Sequence, residues 1–250
     1  MSKRQLFVKG VSLFIGFGIL LFITLFAEYK YTTKQCNKVE VSIQPQSDQS
    51  FVTAEKVMAK IAEGDICGRY IQDVVTNTLL RRLKCDDFIK CVSVYKTWQG
   101  GLIIAATRKE IIARTVSKNG IGQYIDAEGA LIPLSPTCTA KVLLLEHDGE
   151  GEQVYDESKQ ESMEQVLLPL LKYINGDPFW QAQIAHIRYS NGKINLYTRI
   201  GNQVIEFGAP VAITEKFMKL KYFYHAVIPY KRWYAYSRVN VTFNNQLVCE

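Results

Sequence analysis

The sequence lacks the residue spacings that mark metal sites and several common catalytic sites. Its six cysteines form no CxxC pair, so a zinc ribbon or a thioredoxin-like site has no support. Its three histidines, His147, His186 and His225, lie far apart, and none belongs to an HExxH motif. The GxSxG, P-loop and GxGxxG motifs are absent as well. We therefore predict that the protein is not an enzyme and that it binds no cofactor and no metal ion.

The sequence also has no long cluster of charge of one sign on a single element. The net charge is +6, but lysine and arginine are spread along the chain, and the longest basic cluster is residues 81–84 (RRLK). A nucleic-acid-binding protein usually carries a basic stripe on one element, so we predict no nucleic-acid partner. The carboxylates near residues 147–160 favour a charged surface loop over a paired general acid and base, because catalytic pairs need rigid placement.

Cysteine usage leaves two interpretations open. An even number of cysteines in an exported domain permits disulfides, whereas free cysteines usually behave as small buried apolar residues. Cys85 and Cys91 are the nearest pair, at a predicted turn from helix to strand. The complete set is Cys36, Cys67, Cys85, Cys91, Cys138 and Cys249.

One long apolar run is present, at residues 10–27 (GVSLFIGFGILLFITLFA). At about 1.5 Å per helical residue it is roughly 27 Å long, close to the ~30 Å hydrocarbon core of a bilayer. A cleaved signal peptide is the alternative, but the run exceeds a typical apolar region of such a peptide and ends without the usual pair of small residues. Basic residues flank it on both sides, so charge orients it only weakly. We predict a retained single-pass anchor, with residues 1–9 cytoplasmic and the rest exported.

A compact α+β module is predicted directly after the anchor and a linker at residues 28–38. Residues 39–43 alternate as a half-buried strand, and residues 51–62 form a helix with Thr53 as its N-cap. A second helix has apolar residues on one face from Ile71 to Leu83, and two strands follow at residues 88–98 and 102–107. This β-α-α-β-β order is characteristic of the POTRA (polypeptide-transport-associated) module, which we assign to residues 39–108.

The remainder, residues 109–250, is predicted to be a C-terminal antiparallel-rich β domain with flanking helices. Residues 122–134 form a hairpin that turns at Gly129, and Pro169 is expected to kink or shorten a helix at residues 163–174. A helix at residues 214–226 places Lys216, Lys219 and Lys221 in solvent. The other predicted strands are residues 111–117, 141–146, 184–189, 194–200, 204–207 and 237–248.

The last predicted strand is the candidate binding site. Val239, Val241 and Phe243 alternate with polar residues, and a terminal strand is a natural sheet edge to which a partner segment can add. Asn244 and Asn245 weaken the strand and favour a bulge or a turn. The alternative is an internal strand with both neighbours in place.

Three sequence segments and the order of the parts resemble one family, the bacterial cell-division proteins FtsQ and DivIB of the Bacteroidetes type. The segments are residues 124–135 (YIDAEGALIPLS), residues 199–208 (RIGNQVIEFG) and the ending at residues 216–224, 236–237 and 245–249 (NQLVC). The resemblance implies a non-catalytic divisome scaffold in the inner membrane at the septum, with its bulk in the periplasm. It implies binding of FtsB-like and FtsL-like single-span proteins, which link it to septal peptidoglycan synthesis. It also implies that the POTRA module contacts other division proteins.

The resemblance further implies that a segment of the FtsB-like partner adds beside the last strand. A tyrosine of the family matches Phe243, which lacks the hydroxyl. The predicted partner-binding residues are Val239, Val241, Phe243, Asn244, Asn245, Gln246, Leu247 and Val248.

Two other functions are weighed against this one. A POTRA-bearing export or outer-membrane assembly factor would bind unfolded polypeptide, but such proteins usually carry several POTRA modules or a barrel. A periplasmic envelope enzyme would depend on carboxylates at residues 148–157, and the missing catalytic motifs disfavour it.

Overall fold

The computed structural model of the chain describes residues 3–45, 51–62, 66, 68–117, 122–136, 138–147 and 167–250. The chain divides into two compact units, Met1–Arg108 and Lys109–Glu250. Most of the acidic segment at residues 147–160, and the first part of the helix predicted at residues 163–174, lie outside the described residues.

The first unit begins with a long apolar helix, α1, at Lys3–Thr32. Its window Leu13–Lys30 has a mean hydropathy of 1.8, and none of that window is buried against protein. A helix that is apolar on all sides and unburied has no protein core to pack on, which is the condition of a membrane span. Within the described residues it is the one helix long and apolar enough to cross a bilayer.

A small sheet with two helices follows α1. Its strands lie in the order β1-β3-β2, with β1 parallel and β2 antiparallel to the central strand β3. The elements are β1 Lys38–Gln44, α2 Ala54–Ala62, α3 Thr76–Lys84, β2 Ile89–Lys96 and β3 Gly101–Arg108. Thr53 caps α2 as predicted, because its Oγ1 accepts a hydrogen bond of 3.2 Å from the Lys56 N–H.

The second helix is shorter than the periodicity of its apolar residues predicts. It begins at Thr76 rather than Ile71, because the preceding segment pairs with the chain that leaves α1. The Cys36 N–H donates to the Arg69 carbonyl (2.8 Å), and the Ile71 N–H donates to the Lys34 carbonyl (2.9 Å). These two bonds hold residues 69–71 in an extended conformation. Long-range main-chain pairing therefore prevails here over the helical spacing of the apolar residues.

The second unit contains a nine-stranded mixed sheet in the order β12-β11-β10-β9-β8-β7-β4-β5-β6. Its strands are β4 Ile111–Ser117, β5 Gln123–Asp126, β6 Leu131–Pro133, β7 Leu143–His147, β8 Ile184–Ser190, β9 Lys193–Thr198, β10 Val204–Gly208, β11 Arg238–Asn240 and β12 Val248–Cys249. Its helices are α4 Leu168–Gly176, α5 Pro178–Gln183, α6 Ile213–Tyr222, a π-helical turn at Phe223–Val227 and α7 Ile228–Lys231.

One apolar cluster joins the helices of this unit to its sheet. Leu170, Trp180 and Phe217 of the helices belong to the same buried cluster as Leu196 and Ile205 of the strands. At about 25 cal/mol per Å² of apolar surface, such burial is the main term that holds the helices on the sheet.

Local turn chemistry in this unit is partly as predicted. Gly129 has φ of 88° in the β5–β6 turn, and the Asp126 carboxylate accepts from the N–H groups of Glu128 (3.0 Å) and Ala130 (2.7 Å). Pro169 does not kink α4, which begins only one residue before it, at Leu168. It lies in the first turn of α4, where the missing N–H has no helical partner to lose. Cys85 and Cys91 are exposed and are not joined by a disulfide.

The predicted continuous strand at residues 237–248 is wrong in its centre. The structure has two short strands, β11 and β12, joined by a turn. The Asn240 Oδ1 accepts hydrogen bonds from the Thr242 N–H (2.9 Å) and hydroxyl (2.6 Å), and Asn245 has φ of 56°. Asparagine side chains compete in this way with strand pairing and tolerate a left-handed backbone, so the chain reverses where a strand was expected.

Candidate functional site

The predicted binding residues divide into a buried group and an exposed group. Val239 and Val241 are both 0% exposed and belong to the core cluster, so their side chains contact the interior. Phe243 is 46% exposed and Val248 is 40% exposed. Of the remaining residues, Asn244, Asn245 and Gln246 are exposed and Leu247 is half-buried.

The outermost strand at this end of the sheet is β12. It pairs antiparallel with β11, with Val239 opposite Cys249 and Asn240 opposite Val248. Arg238 and Glu250 exchange both main-chain hydrogen bonds, at 3.1 and 3.0 Å. In an antiparallel ladder such bonded pairs alternate with non-bonded pairs, so the peptide N–H and C=O of Cys249 point away from β11, toward the open side.

The side chains of β12 also alternate between the core and solvent. Leu247 and Cys249 pack against the buried cluster, while Val248 faces outward. Burial raises the pKa of the Cys249 thiol, which favours its neutral form. The edge therefore combines outward main-chain groups at Cys249 with exposed apolar side chains at Val248 and Phe243.

Two lysines of α6 bind main-chain carbonyls near this edge, Lys216 at the end of β10 and Lys219 in the turn after β11. The Lys219 ammonium donates to the carbonyls of Val241 (3.2 Å) and Phe243 (2.6 Å). The Lys216 ammonium donates to the carbonyls of Phe207 (2.9 Å) and Ala209 (2.6 Å). Both lysines were expected in solvent, but Lys216 is only 7% exposed, and burial, followed by the charge of Lys219, lowers its pKa. Helical periodicity alone cannot show that strand-end carbonyls lie above these positions.

The end of β10 lies very close to the turn between β11 and β12, and this contact limits the path of that turn. Gly208 has φ of 70°, and a Cβ atom there would lie 2.6 Å from the Thr242 Cγ2. Only glycine accepts both the positive φ and the contact without strain. The Glu206 carboxylate adds polar contacts, because it accepts hydrogen bonds from Arg238 and from the Asn240 side-chain amide (2.6 Å).

A buried polar network lies beneath the chain that enters β11. The Tyr224 hydroxyl donates to the Gln203 Oε1 (2.8 Å), and the Gln203 Nε2 donates to the Trp233 carbonyl (2.8 Å). The Gln183 Nε2 in turn contacts the Tyr224 hydroxyl at 3.5 Å. Burial raises the pKa of Tyr224 to about 12, so the network contains a neutral phenol at ordinary pH.

The site offers main-chain hydrogen-bonding groups and exposed apolar side chains. Over the described residues, no group of three or more His, Cys, Asp or Glu side chains is placed to hold a metal ion. His186 contacts the Glu146 carboxylate at 3.0 Å, and burial lowers the pKa of that histidine. His225 lies against the Phe179 ring.

Two comparisons with protein families agree with this architecture. A family model described as FtsQ/DivIB, C-terminal related, matches residues 110–250, which is more than half of the chain. A second model, described as a POTRA-like domain, matches residues 34–107. No individual curated protein matches the chain at a significant level. The matches confirm the resemblance inferred from the sequence and the predicted α+β fold, with an apolar N-terminal helix, a POTRA-like domain and a β-rich C-terminal region.

Proposed function

Because the chain belongs to the FtsQ/DivIB-related family, we propose that it is a scaffold of the divisome that recruits small single-span division proteins. The family suggests a divisome scaffold role, its members are generally non-catalytic, and the apolar helix α1 is consistent with a single-pass membrane protein. We further propose the finer arrangement: residues 1–9 in the cytoplasm, the anchor at residues 10–27, a linker to residue 38, and both exported domains (39–108 and 109–250) in the periplasm at the septum.

The proposed partners are FtsB-like and FtsL-like proteins, through which the scaffold is linked to septal peptidoglycan synthesis. The POTRA-like domain is proposed to contact other division proteins. One observation carries the partner site: β12 is the outermost strand of its sheet in the described chain, and its Cys249 peptide groups face the open side. An incoming strand gains main-chain hydrogen bonds at such an edge, and exposed side chains select it.

We propose that only the exposed residues of the predicted set contact the partner directly. Val239 and Val241 support the edge from the core and are removed from the direct contact surface. The proposed contacts are the main chain of Cys249 and the side chains of Phe243, Asn244, Asn245, Gln246 and Val248, with Leu247 positioning the strand between core and partner.

A pair of substitutions at Cys249 tests strand addition. Cys249→Pro removes the outward N–H, whereas Cys249→Ala keeps it and changes only the side chain. The measurement is binding of the full chain in lipid nanodiscs to the periplasmic segment of the FtsB-like protein from the same organism. Loss of one main-chain hydrogen bond plus ring crowding is expected to weaken binding about tenfold for the proline variant, or about 1.4 kcal/mol. The alanine variant should bind like the natural chain.

Folding is checked by the thermal unfolding curve of each variant, because proline is tolerated on a strand whose N–H faces solvent. Equal binding by the two Cys249 variants would exclude pairing at this edge. A Phe243→Ala variant then locates the side-chain contact, and it should weaken binding while leaving the fold intact. If the natural chain binds neither partner segment, even when both segments are added together, the recruitment proposal fails.

A further inference from the structure

The chain that leaves α1 is packed against two loops of the POTRA-like domain. On one side, residues 34–36 form the bridge with residues 69–71 described above, with Gln35 opposite Tyr70. On the other side lies the turn between β2 and β3 at residues 97–100. The Lys34 ammonium donates to the Trp98 carbonyl at 2.8 Å and lies 5.8 Å from the centre of the Trp98 ring.

The β2–β3 turn approaches the exit segment closely. A Cβ atom at Gly100, where φ is 87°, would lie 3.1 Å from the Gln35 carbonyl oxygen and 3.3 Å from the Lys34 Cβ. Glycine therefore lets the turn touch the main chain just beyond the membrane helix. The turn is fixed there by this contact and by the Lys34 hydrogen bond, so the position of Trp98 relative to residues 34–36 is set by the fold.

Both loops present exposed aromatic side chains at this end of the domain. Trp98 is 66% exposed, and Tyr70 is 45% exposed. Arg69 is exposed beside Tyr70, and Lys34 lies beside Trp98. Tryptophan and tyrosine are enriched where an apolar ring body and a polar atom meet the headgroup layer of a membrane, and lysine and arginine are attracted to anionic lipids.

The distance from the membrane span is short enough for this contact. The apolar window ends at Lys30, and α1 continues to Thr32, about 3 Å further along its axis. From Thr32 to Gln35 a fully extended chain adds at most about 10 Å. Gln35 therefore lies at most about 13 Å beyond Lys30, and the headgroup layer is roughly 5 to 8 Å thick on each side of the hydrocarbon core. Aromatic side chains on loops packed against residues 34–36 need to extend only a few ångström toward the bilayer to reach that layer.

We propose that Tyr70 and Trp98 insert into the headgroup layer of the bilayer, with Lys34 and Arg69 beside lipid phosphates. The occupant of this surface is the lipid in which α1 itself is embedded. The contact would fix the POTRA-like domain against the membrane surface and restrict its rotation about the exit of α1. This inference does not depend on which division proteins the scaffold binds, and it goes beyond the proposed recruitment function.

The distribution of tryptophan makes the contact measurable. The chain has three tryptophans, Trp98, Trp180 and Trp233, and none lies in α1. The full chain is placed in nanodiscs of phosphatidylcholine and phosphatidylglycerol, with or without bromine on the upper part of the acyl chains. Brominated lipid should quench the emission that Trp98 contributes, and the Trp98→Phe variant should lose that quenching.

Two transplanted tryptophans in the Trp98→Phe background provide the matched controls. Tyr70→Trp should regain quenching. Lys90→Trp should not, because Lys90 is exposed at the other end of β2, roughly 25 Å along the strand from Trp98. Quenching that survives Trp98→Phe, no quenching of the natural chain, or equal quenching at positions 70 and 90 would overturn the proposal. An effect that needs an added protein partner would also overturn it, because the nanodisc contains lipid alone.

Discussion

The two edges of the nine-stranded sheet are built in opposite ways. At one edge, β6 carries Pro133 opposite Gln123 of β5. The Asp126 N–H donates to the Ala130 carbonyl at 3.0 Å, so the alternation of bonded pairs directs the Pro133 nitrogen away from β5. At the other edge, the alternation directs the Cys249 N–H and carbonyl outward.

The difference indicates which edge is available for pairing. Proline on an edge strand removes an outward donor and is a common protection against unwanted strand addition. Cys249 retains its donor, and an exposed phenylalanine and valine lie nearby. A protein that avoided all edge pairing would protect both ends, so we interpret the unprotected edge as the one kept for a partner.

The largest expected effect on stability comes from a substitution at the end of β10, close to the open edge that β12 forms. Gly208→Ala adds a methyl group at positive φ and within 2.6 Å of the Thr242 Cγ2. We expect a loss of about 2 to 3 kcal/mol of unfolding free energy, of which about 1 to 2 reflects the backbone conformation alone. Urea unfolding of the detergent-solubilised chain measures this loss.

Gly192 supplies the matched control for that variant. It also has positive φ, at 74°, but a Cβ atom there meets nothing within 4 Å. Gly192→Ala should therefore show only the backbone part of the cost. Equal losses for the two variants would mean that the Thr242 contact contributes nothing to the position of the edge.

The second prediction concerns the buried polar network of Tyr224, Gln203 and Gln183, and the dependence of its contribution to stability on pH. In the folded chain the pKa of Tyr224 is about 12, against 10.0 for an ordinary tyrosine. Between these values the unfolded chain has lost a proton that the folded chain keeps, so the stabilisation is complete below pH 10 and falls as pH rises. By pH 11 the loss should be about 1.4 kcal/mol.

Tyr224→Phe isolates this contribution. At pH 8 the variant should be less stable than the natural chain, because it leaves the Gln203 Oε1 without its hydroxyl donor. At pH 11 that deficit should shrink by the same 1.4 kcal/mol, since phenylalanine does not titrate. Other tyrosines cancel in the difference between the two proteins. A deficit that does not change between pH 8 and pH 11 would exclude a raised Tyr224 pKa as the source of alkaline destabilisation.

A smaller effect is expected from the lysine that holds the turn of the open edge. Lys219→Met keeps most of the apolar stem but removes the donors to the Val241 and Phe243 carbonyls. Because one of these acceptors is exposed, we expect only about 1 kcal/mol of lost stability. We also expect partner affinity to fall several-fold. The loss of stability alone would not cause this, because the chain stays folded, but the turn that carries Phe243 becomes less rigid.

Lys221→Met on the same helix is the control for that variant, because Lys221 is exposed. It removes an equal charge and should change neither stability nor partner binding. Matching effects of the two substitutions would show that net charge, and not the two hydrogen bonds, governs the site.

The carbonyls that Lys219 contacts lie 22 and 24 residues away along the chain, so no local sequence pattern could predict these hydrogen bonds. Alternation and helical spacing correctly predicted most strands and helices, because each depends on residues close together in the chain. The Thr53 cap and the Gly129 turn were predicted for the same reason. The order of strands was not, because pairing of β11 with β10 depends on contacts that no local pattern encodes.

The terminal segment shows the physical cause of the failure. Alternating Val239, Val241 and Phe243 read as one strand, but the Asn240 side chain bonds to Thr242 and Asn245 adopts positive φ. Two buried valines of the predicted site are therefore core residues, while Cys249, absent from that prediction, carries the outward peptide. Short polar side chains decided the path of the chain here, and their preference for turns was visible in the sequence at Asn244 and Asn245.

The smallest expected effect on stability comes from a substitution that gives the β6 edge an outward N–H group. Pro133→Thr restores an outward N–H on β6 while placing a strand-favouring residue at an exposed position. Its stability should change by less than about 0.5 kcal/mol, as for most surface substitutions. Self-association of the detergent-solubilised chain, measured by light scattering, should nevertheless increase, because the sheet then has two edges that accept strands. Pro136→Thr removes a nearby exposed proline outside the strand and should have no such effect. If both variants stay monomeric, Pro133 is not what protects this edge, and the contrast between the two ends of the sheet would depend on the open edge alone.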